Sequence, residues 1–167
     1  MWNTITHLFK DAPSKLKIVK LIIESGLRIG VDSKIYCGDI EIPATKIAAA
    51  VNVDRRVVKE TAESILKTEG LRDIFMNFKP AGPLLKEIAK YVGYGVVEIR
   101  AQPEAQGIIA ETTALIAKQG ISIRQILAED PEIYPDPKLT IITERLIPGE
   151  LLPQFLKIPT VKQVTIT

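Results

Sequence analysis

The chain of 167 residues holds one cysteine, one histidine and one tryptophan, and aromatic residues make up only 5% of it. A single cysteine, Cys37, excludes an intrachain disulfide and fits a reducing compartment. His7 and Cys37 fall in different segments with nothing to pair them as base and nucleophile, so both read as structural. No apolar run approaches the roughly 20 residues that a membrane helix requires; the longest clusters are of the kind IVKLII. The opening MWNTITHLFKDAPSK interrupts every apolar cluster with polar residues and has no small-residue cleavage site, so it does not read as a signal peptide. Acid–base pairs, nucleophile constellations, metal clusters and cofactor fingerprints are missing as well, which makes an enzyme the weakest class of function. These absences give the expectation of a soluble cytoplasmic protein without a resident cofactor or metal.

What is present is ordinary globular material. Apolar residues make up 46% and charged residues 25%, with 11 Pro and 10 Gly scattered through the chain. The length suits one large domain or two small ones. Net charge is +2, but residues 1–92 carry 15 Lys/Arg against 11 Asp/Glu, whereas residues 93–167 carry 7 against 9. A mildly basic front and a mildly acidic back fit a DNA-facing half joined to a sensing half.

Along the front half, Trp2, Ile5 and Phe9 have helical spacing and predict a short helix or a docking arm. Ser14 is placed to cap a firmer helix over 14–26, with Ile18, Val19, Leu21, Ile22 and Ile23 as its apolar stripe. RIGVDSKIYCGDIEIP reads as a loop holding at most one small strand. Pro43 suits a first helical turn, and Ile47, Ala48 and Val51 give a short helix its inner face. VNV breaks that helix. Asp54 then caps a longer one in which Val58, Ala62, Ile65 and Leu66 recur at helical spacing, with Gly70 to close it. A short helix, a tight turn and a longer helix form the helix-turn-helix pattern. LRDIFMNFKPAGP carries the change to a linker, and PLLKEIAKYVGYG reads as a connecting helix with Leu84, Leu85, Ile88 and Val92 on one side.

From Gly95 the rhythm changes to strand, helix, two strands, short helix and strand. This βαββαβ order in about 70 residues is that of the ferredoxin-like fold. Ile108, Ile109, Thr112, Leu115 and Ile116 are expected to face inward from its first helix. The fold class is α+β: a helical helix-turn-helix domain over 1–78, a linker with a short connecting helix over 79–94, and a ferredoxin-like βαββαβ domain over 95–167.

Two places carry candidate chemistry. Arg55, Arg56 and Lys59 lie on the exposed side at the start of the helix after Asp54. The second helix of a helix-turn-helix presents its N-terminal residues to base edges, and the arginine fork suits guanine. Two cations also oppose the helix dipole there, which hints at a use for them. A charged face is what any soluble helix needs, however, and Glu60 and Glu63 lie close by. The other place is Gly107, at the mouth of a helix whose free amides suit a carboxylate. A glycine there equally fits a plain strand-to-helix turn.

The run from Glu104 through Ile123 resembles the opening of an ACT domain, a small βαββαβ module that binds amino acids in metabolic regulators. The usual pattern there is Asp-x-Pro-Gly, a Leu-rich helix, then Gly-Ile-Asn-Ile. Gly107, Gly120, Ile121 and Ile123 match it, while Glu104 stands for the Asp, Gln106 for the Pro and Ser122 for the Asn. The resemblance implies an amino acid held by Glu104, Gln106, Gly107, Ile108, Ser122 and Ile123, usually across a subunit interface. The whole chain, with KIYCGDIEIP, DRRVV and LRDIF, resembles predicted archaeal regulators of amino acid metabolism. That implies an amino-acid-responsive regulator, a homodimer or higher homo-oligomer that binds DNA through its helix-turn-helix. An alternative is a regulatory subunit that docks on an enzyme of amino acid metabolism through protein–protein contacts.

Two further readings fall away. An RNA-recognition motif shares the strand order but stacks bases on aromatics of its central strands, and VVEIRA and LTIITERL contain none. The acidic loop AEDPEIYPDPK lacks the spacing and turn glycine of a calcium loop and reads as a solvated connection.

Overall fold

The computed structural model describes residues 1–167 as a mixed α/β chain with two antiparallel sheets. It divides into two units, Met1–Gly82 and Pro83–Thr167. No helix is long and apolar enough to cross a membrane.

In the first unit, α1 (Trp2–Leu8) turns Ile5 inward, and Phe9 beyond it is buried too. α2 (Pro13–Glu24) buries Ile18, Val19 and Ile22. It begins one residue before the expected start: Pro13 occupies the first turn, where its missing N–H costs nothing, and Ser14 does not cap the helix. Gly26 then reverses the chain at φ +60, so close to the backbone that a Cβ would stand 2.8 Å from Lys79 O.

RIGVDSKIYCGDIEIP is not a loop but three short strands, β1 (Arg28–Ile29), β2 (Ile35–Cys37) and β3 (Ile40–Ile42), paired in that order. The β2–β3 turn is Gly38–Asp39, and only the glycine has a positive φ. Positive φ at the first central position alone is the type II′ turn, whose twist matches that of a hairpin.

α3 (Ala44–Val51) follows Pro43, which stands just before the helix rather than in its first turn. Asn52, left-handed at φ 54, stops α3, and Asp54 starts α4 (Arg55–Lys67) by accepting the Arg56 N–H. Val58, Ala62 and Ile65 are buried as their spacing requires. α4 ends on the extended Thr68, so Gly70 does not close it; at φ 80 it opens the next helix, α5 (Leu71–Met76). Leu71 and Phe75 are buried, and Phe75 meets Phe78 edge to face at 5.2 Å. Leu71, Phe75 and Phe78, just ahead of the expected linker, are thus part of the first core.

The second unit opens with a tight helical turn, Leu85–Ile88, running into α6 (Ala89–Val92). β4 (Gly95–Ala101), α7 (Ile108–Lys118), β5 (Ile123–Ala128), β6 (Lys138–Thr143), α8 (Leu152–Phe155) and β7 (Val161–Ile166) follow. The sheet runs β5-β6-β4-β7, antiparallel throughout. Partners in register share a face. Val97 with Ile141 and Ile99 with Leu139 build the core with Ile116 and Phe155. Val96 with Ile142, Glu98 with Thr140 and Arg100 with Lys138 occupy the opposite face.

That opposite face explains the segment after Gly82. Ala89 and the half-buried Leu85 pack over Val96 and Ile142, and Gln125 binds both the Leu85 N–H and Pro83 O at 2.9 Å. Leu84, Ile88 and Val92, expected to share the inner side with Leu85, are 43%, 45% and 50% exposed. Burying Ala89 turns them outward, because they lie on the other side of the helical turn.

Candidate functional site

α3 and α4 are joined by the three residues Asn52–Asp54, with Asn52 left-handed at φ 54. The inner side of α4 is spent on the core, which leaves Arg55, Arg56 and Lys59 exposed at its beginning. Arg55 and Arg56 form no ion pair, whereas Lys59 Nζ lies 3.8 Å from Glu63 Oε1. Glu60 is drawn to Lys15 at 3.5 Å. The first turn of α4 thus holds two guanidinium groups outside any ion pair at the positive end of a helix, where the only nearby carboxylate in sequence, Asp54, is spent on the cap.

The six residues expected around Gly107 fall into two groups. Glu104, Gln106 and Gly107 are exposed, and Ile108 is half-buried, at the start of α7. Ser122 and Ile123 lie just past its other end. Eleven helical residues separate the groups, a span of about 16 Å. A single copy of the chain does not bring them together.

Gly107 has φ +84 and α7 has no side-chain cap, so its first amides are free of side-chain partners. Glu111, however, stands in that first turn, with Oε1 3.7 Å from the place a Gly107 Cβ would take. That carboxylate competes with any incoming anion. At the far end, Ser122 N–H donates to Glu144 Oε1 at 3.2 Å, and Arg145 Nη2 donates to the Gln119 and Gly120 carbonyls at 3.2 and 3.4 Å. Sequence reasoning missed Glu144 and Arg145, which follow β6, the strand paired with β5. Ile109, expected inside with Ile108, is 46% exposed; Thr112 and Ile116 form the seat of α7, and Ile109 lies off that line.

No family model matches the chain, and no curated protein matches it in sequence. Among solved structures, a transcriptional regulator from Neisseria meningitidis, solved as its complex with L-Met, is 9% identical over 92% of this chain and 86% of that one, at a TM-score of 0.27. A second, PH0061, is 12% identical over 92% of this chain and 88% of that one, at a TM-score of 0.25. Likeness at that level bears on neither fold nor function.

The polar face of the sheet holds a further cluster that the sequence did not announce. Glu98 Oε1 lies 2.9 Å from Lys86 Nζ and 3.5 Å from Lys138 Nζ. The Lys86 bond, more than the burial that opposes it, holds the Glu98 carboxyl below its ordinary range. Arg100 beside it reaches Asp136 Oδ2 at 2.7 Å and Gln163 Oε1 at 2.9 Å. Within the acidic loop, Asp136 is thus taken by an arginine, Glu129 Oε2 accepts the Lys138 N–H and Asp130 Oδ1 the Glu132 N–H. No group of three or more His, Cys, Asp or Glu is placed to hold a metal ion. His7 is exposed, and the free Cys37 is half-buried against the first core.

Proposed function

We propose that this protein is an amino-acid-responsive regulator, most simply of transcription, and a binding protein rather than an enzyme. In this reading α3 and α4 form a helix-turn-helix, and α4 enters the major groove of DNA with Arg55, Arg56 and Lys59 toward the bases and phosphates. The βαββαβ unit is an ACT-like, ferredoxin-like module that receives a small effector. The observation that carries the reading is the pair of unpaired guanidinium groups on the first turn of α4, where the helix dipole makes them unfavourable without a polyanion to meet.

A homodimer belongs to the same reading. Glu104, Gln106, Gly107 and Ile108 lie at one end of α7 and Ser122 and Ile123 at the other, so a second copy is needed to close a pocket from both groups. The outer edge of β7 is unpaired and offers backbone groups for a second chain. Two reading helices then address two half-sites about one turn of DNA apart.

A second reading is a regulatory subunit that docks on an enzyme of amino acid metabolism. It is favoured by the acidic groups interleaved on α4, where Glu63 approaches Lys59 and Glu60 approaches Lys15. One experiment on the full chain separates the two. Electrophoretic mobility shifts with a pool of random duplexes are measured alone and with each of the twenty amino acids at millimolar concentration. The regulator reading expects retained duplex and at least one amino acid that changes it. Absence of binding to any duplex, together with a thermal midpoint raised by an amino acid, favours the docking subunit.

A further inference from the structure

In the first unit a cleft of about 340 Å³ opens between the β2–β3 hairpin, the start of α3 and the side of α4. That volume falls in the roughly 300–1,000 Å³ range of small-ligand sites. Its walls are aliphatic: Ile35 and Val58 are buried side chains and Ile42 is half-buried. Four charged groups, Asp32, Lys34, Glu41 and Lys59, also line it.

Two of these neutralise each other, since Lys34 Nζ lies 2.8 Å from Glu41 Oε2. One carboxylate and one ammonium remain. Asp32 is fixed in place: its carboxylate accepts the Tyr36 hydroxyl at 2.8 Å and the Lys34 N–H at 3.2 Å. The tyrosine bond also holds the Asp32 carboxyl below its ordinary range, so it is charged at neutral pH. Lys59 keeps only a 3.8 Å approach to Glu63, with 72% of its side chain exposed. A solvated pair of that kind is weak, and Lys59 can leave it at little cost. Ala44, the first residue of α3, lines the cleft as well, and α3 has no side-chain cap. The positive end of that helix therefore reinforces the ammonium.

An aliphatic floor with one anion and one cation at its rim complements a molecule that carries both charges and a hydrocarbon side chain. A phosphate would meet Asp32 and Glu41, and a simple cation would meet both lysines. We infer that the cleft binds a free α-amino acid with an aliphatic side chain. Its ammonium rests on Asp32, its carboxylate on Lys59 and the start of α3, and its side chain against Ile35, Ile42 and Val58. This deepens the proposed function, on which its link to DNA rests: Lys59 serves both the cleft and the outer side of α4, so an occupied cleft withdraws one cation from the groove.

The test is a titration of the full isotope-labelled chain with L-leucine, followed by two-dimensional NMR of the backbone amides. L-leucinamide, which lacks the carboxylate, and 4-methylpentanoate, which lacks the ammonium, are titrated alongside. The inference expects leucine to shift Ile35, Ala44 and Val58, and each analogue to bind about tenfold more weakly or worse, a difference of about 1.4 kcal/mol. Asp32→Asn and Lys59→Gln should each weaken leucine to a similar degree while the rest of the spectrum keeps its dispersion. Shifts confined to Gly107, Ile108, Ser122 and Ile123 would overturn the cleft and leave the effector module standing. Shifts confined to the cleft would support it and remove the effector role from Gly107. No shift anywhere, or equal affinity for leucine and an analogue, overturns it.

Discussion

Asp54 Oδ1 accepts the Arg56 N–H at 2.7 Å, and this bond fixes where α4 begins. It satisfies one of the amides that a helix start leaves unpaired. Asp54→Ala should lower the stability of the first unit by about 1 kcal/mol, and Asp54→Ser by much less, because serine caps as well. Urea denaturation followed by the helical signal measures both. Equal losses for the two variants would mean that the cap is not what the aspartate supplies.

Glu98 gives a pH dependence with a definite sign. Its carboxyl lies below the ordinary value of 4.5 in the folded chain because of Lys86. A depressed carboxyl contributes stability that is complete above the unfolded value and is lost as pH falls through the folded one. Glu98→Gln should therefore cost about 1.5–3 kcal/mol at pH 7, the range for hydrogen bonds to charged groups. The gap from the unmodified chain should narrow once pH drops below 4.5. A gap that stays constant down to pH 2 would sink the assignment.

Two glycines should respond differently to the same substitution. A Cβ on Gly95 would lie 2.6 Å from Thr143 Oγ1 and 2.7 Å from Arg145 O, so Gly95→Ala has to push β4 from the turn after β6. Overpacking of this kind costs about 1–3 kcal/mol. A Cβ on Gly107 would meet only Glu111 Oε1, at 3.7 Å, and the cost of Gly107→Ala is the positive φ alone, about 1 kcal/mol. Thermal denaturation of the two variants should place Gly95→Ala lower; the reverse order would contradict the packing described.

How far the sequence could be read follows from how each element is held. α4 was legible because a cap, a 3.6-residue period and a core face coincide in one stretch, ending with Ile65 buried. β1 to β3 were not, because strands of two or three residues establish no alternation before the chain turns. α5 was legible only as an apolar cluster, Leu71, Ile74, Phe75 and Phe78, ahead of the linker, because the Phe75–Phe78 contact that anchors the segment has no periodic signature. Ile109 looked internal because three apolar residues in a row leave the helix seat ambiguous by one position. The loop residues around Gly107 and Ser122 were named correctly as neighbours of α7, yet linear spacing hid that the helix sets them apart. The cleft at Asp32 and Lys59 was invisible, since a hairpin and a helix 27 positions on supply its two free charges.

The central claim is that α4 meets DNA through its free arginines, and salt tests it most directly. Each phosphate neutralised contributes a slope of about −0.9 to log affinity against log salt concentration. Binding of a duplex by the unmodified chain should weaken steeply with salt, and Arg55→Ala combined with Arg56→Ala should flatten that slope by about 2 and weaken binding at every salt concentration. A double variant that binds the same duplex with unchanged affinity and unchanged slope would contradict the account.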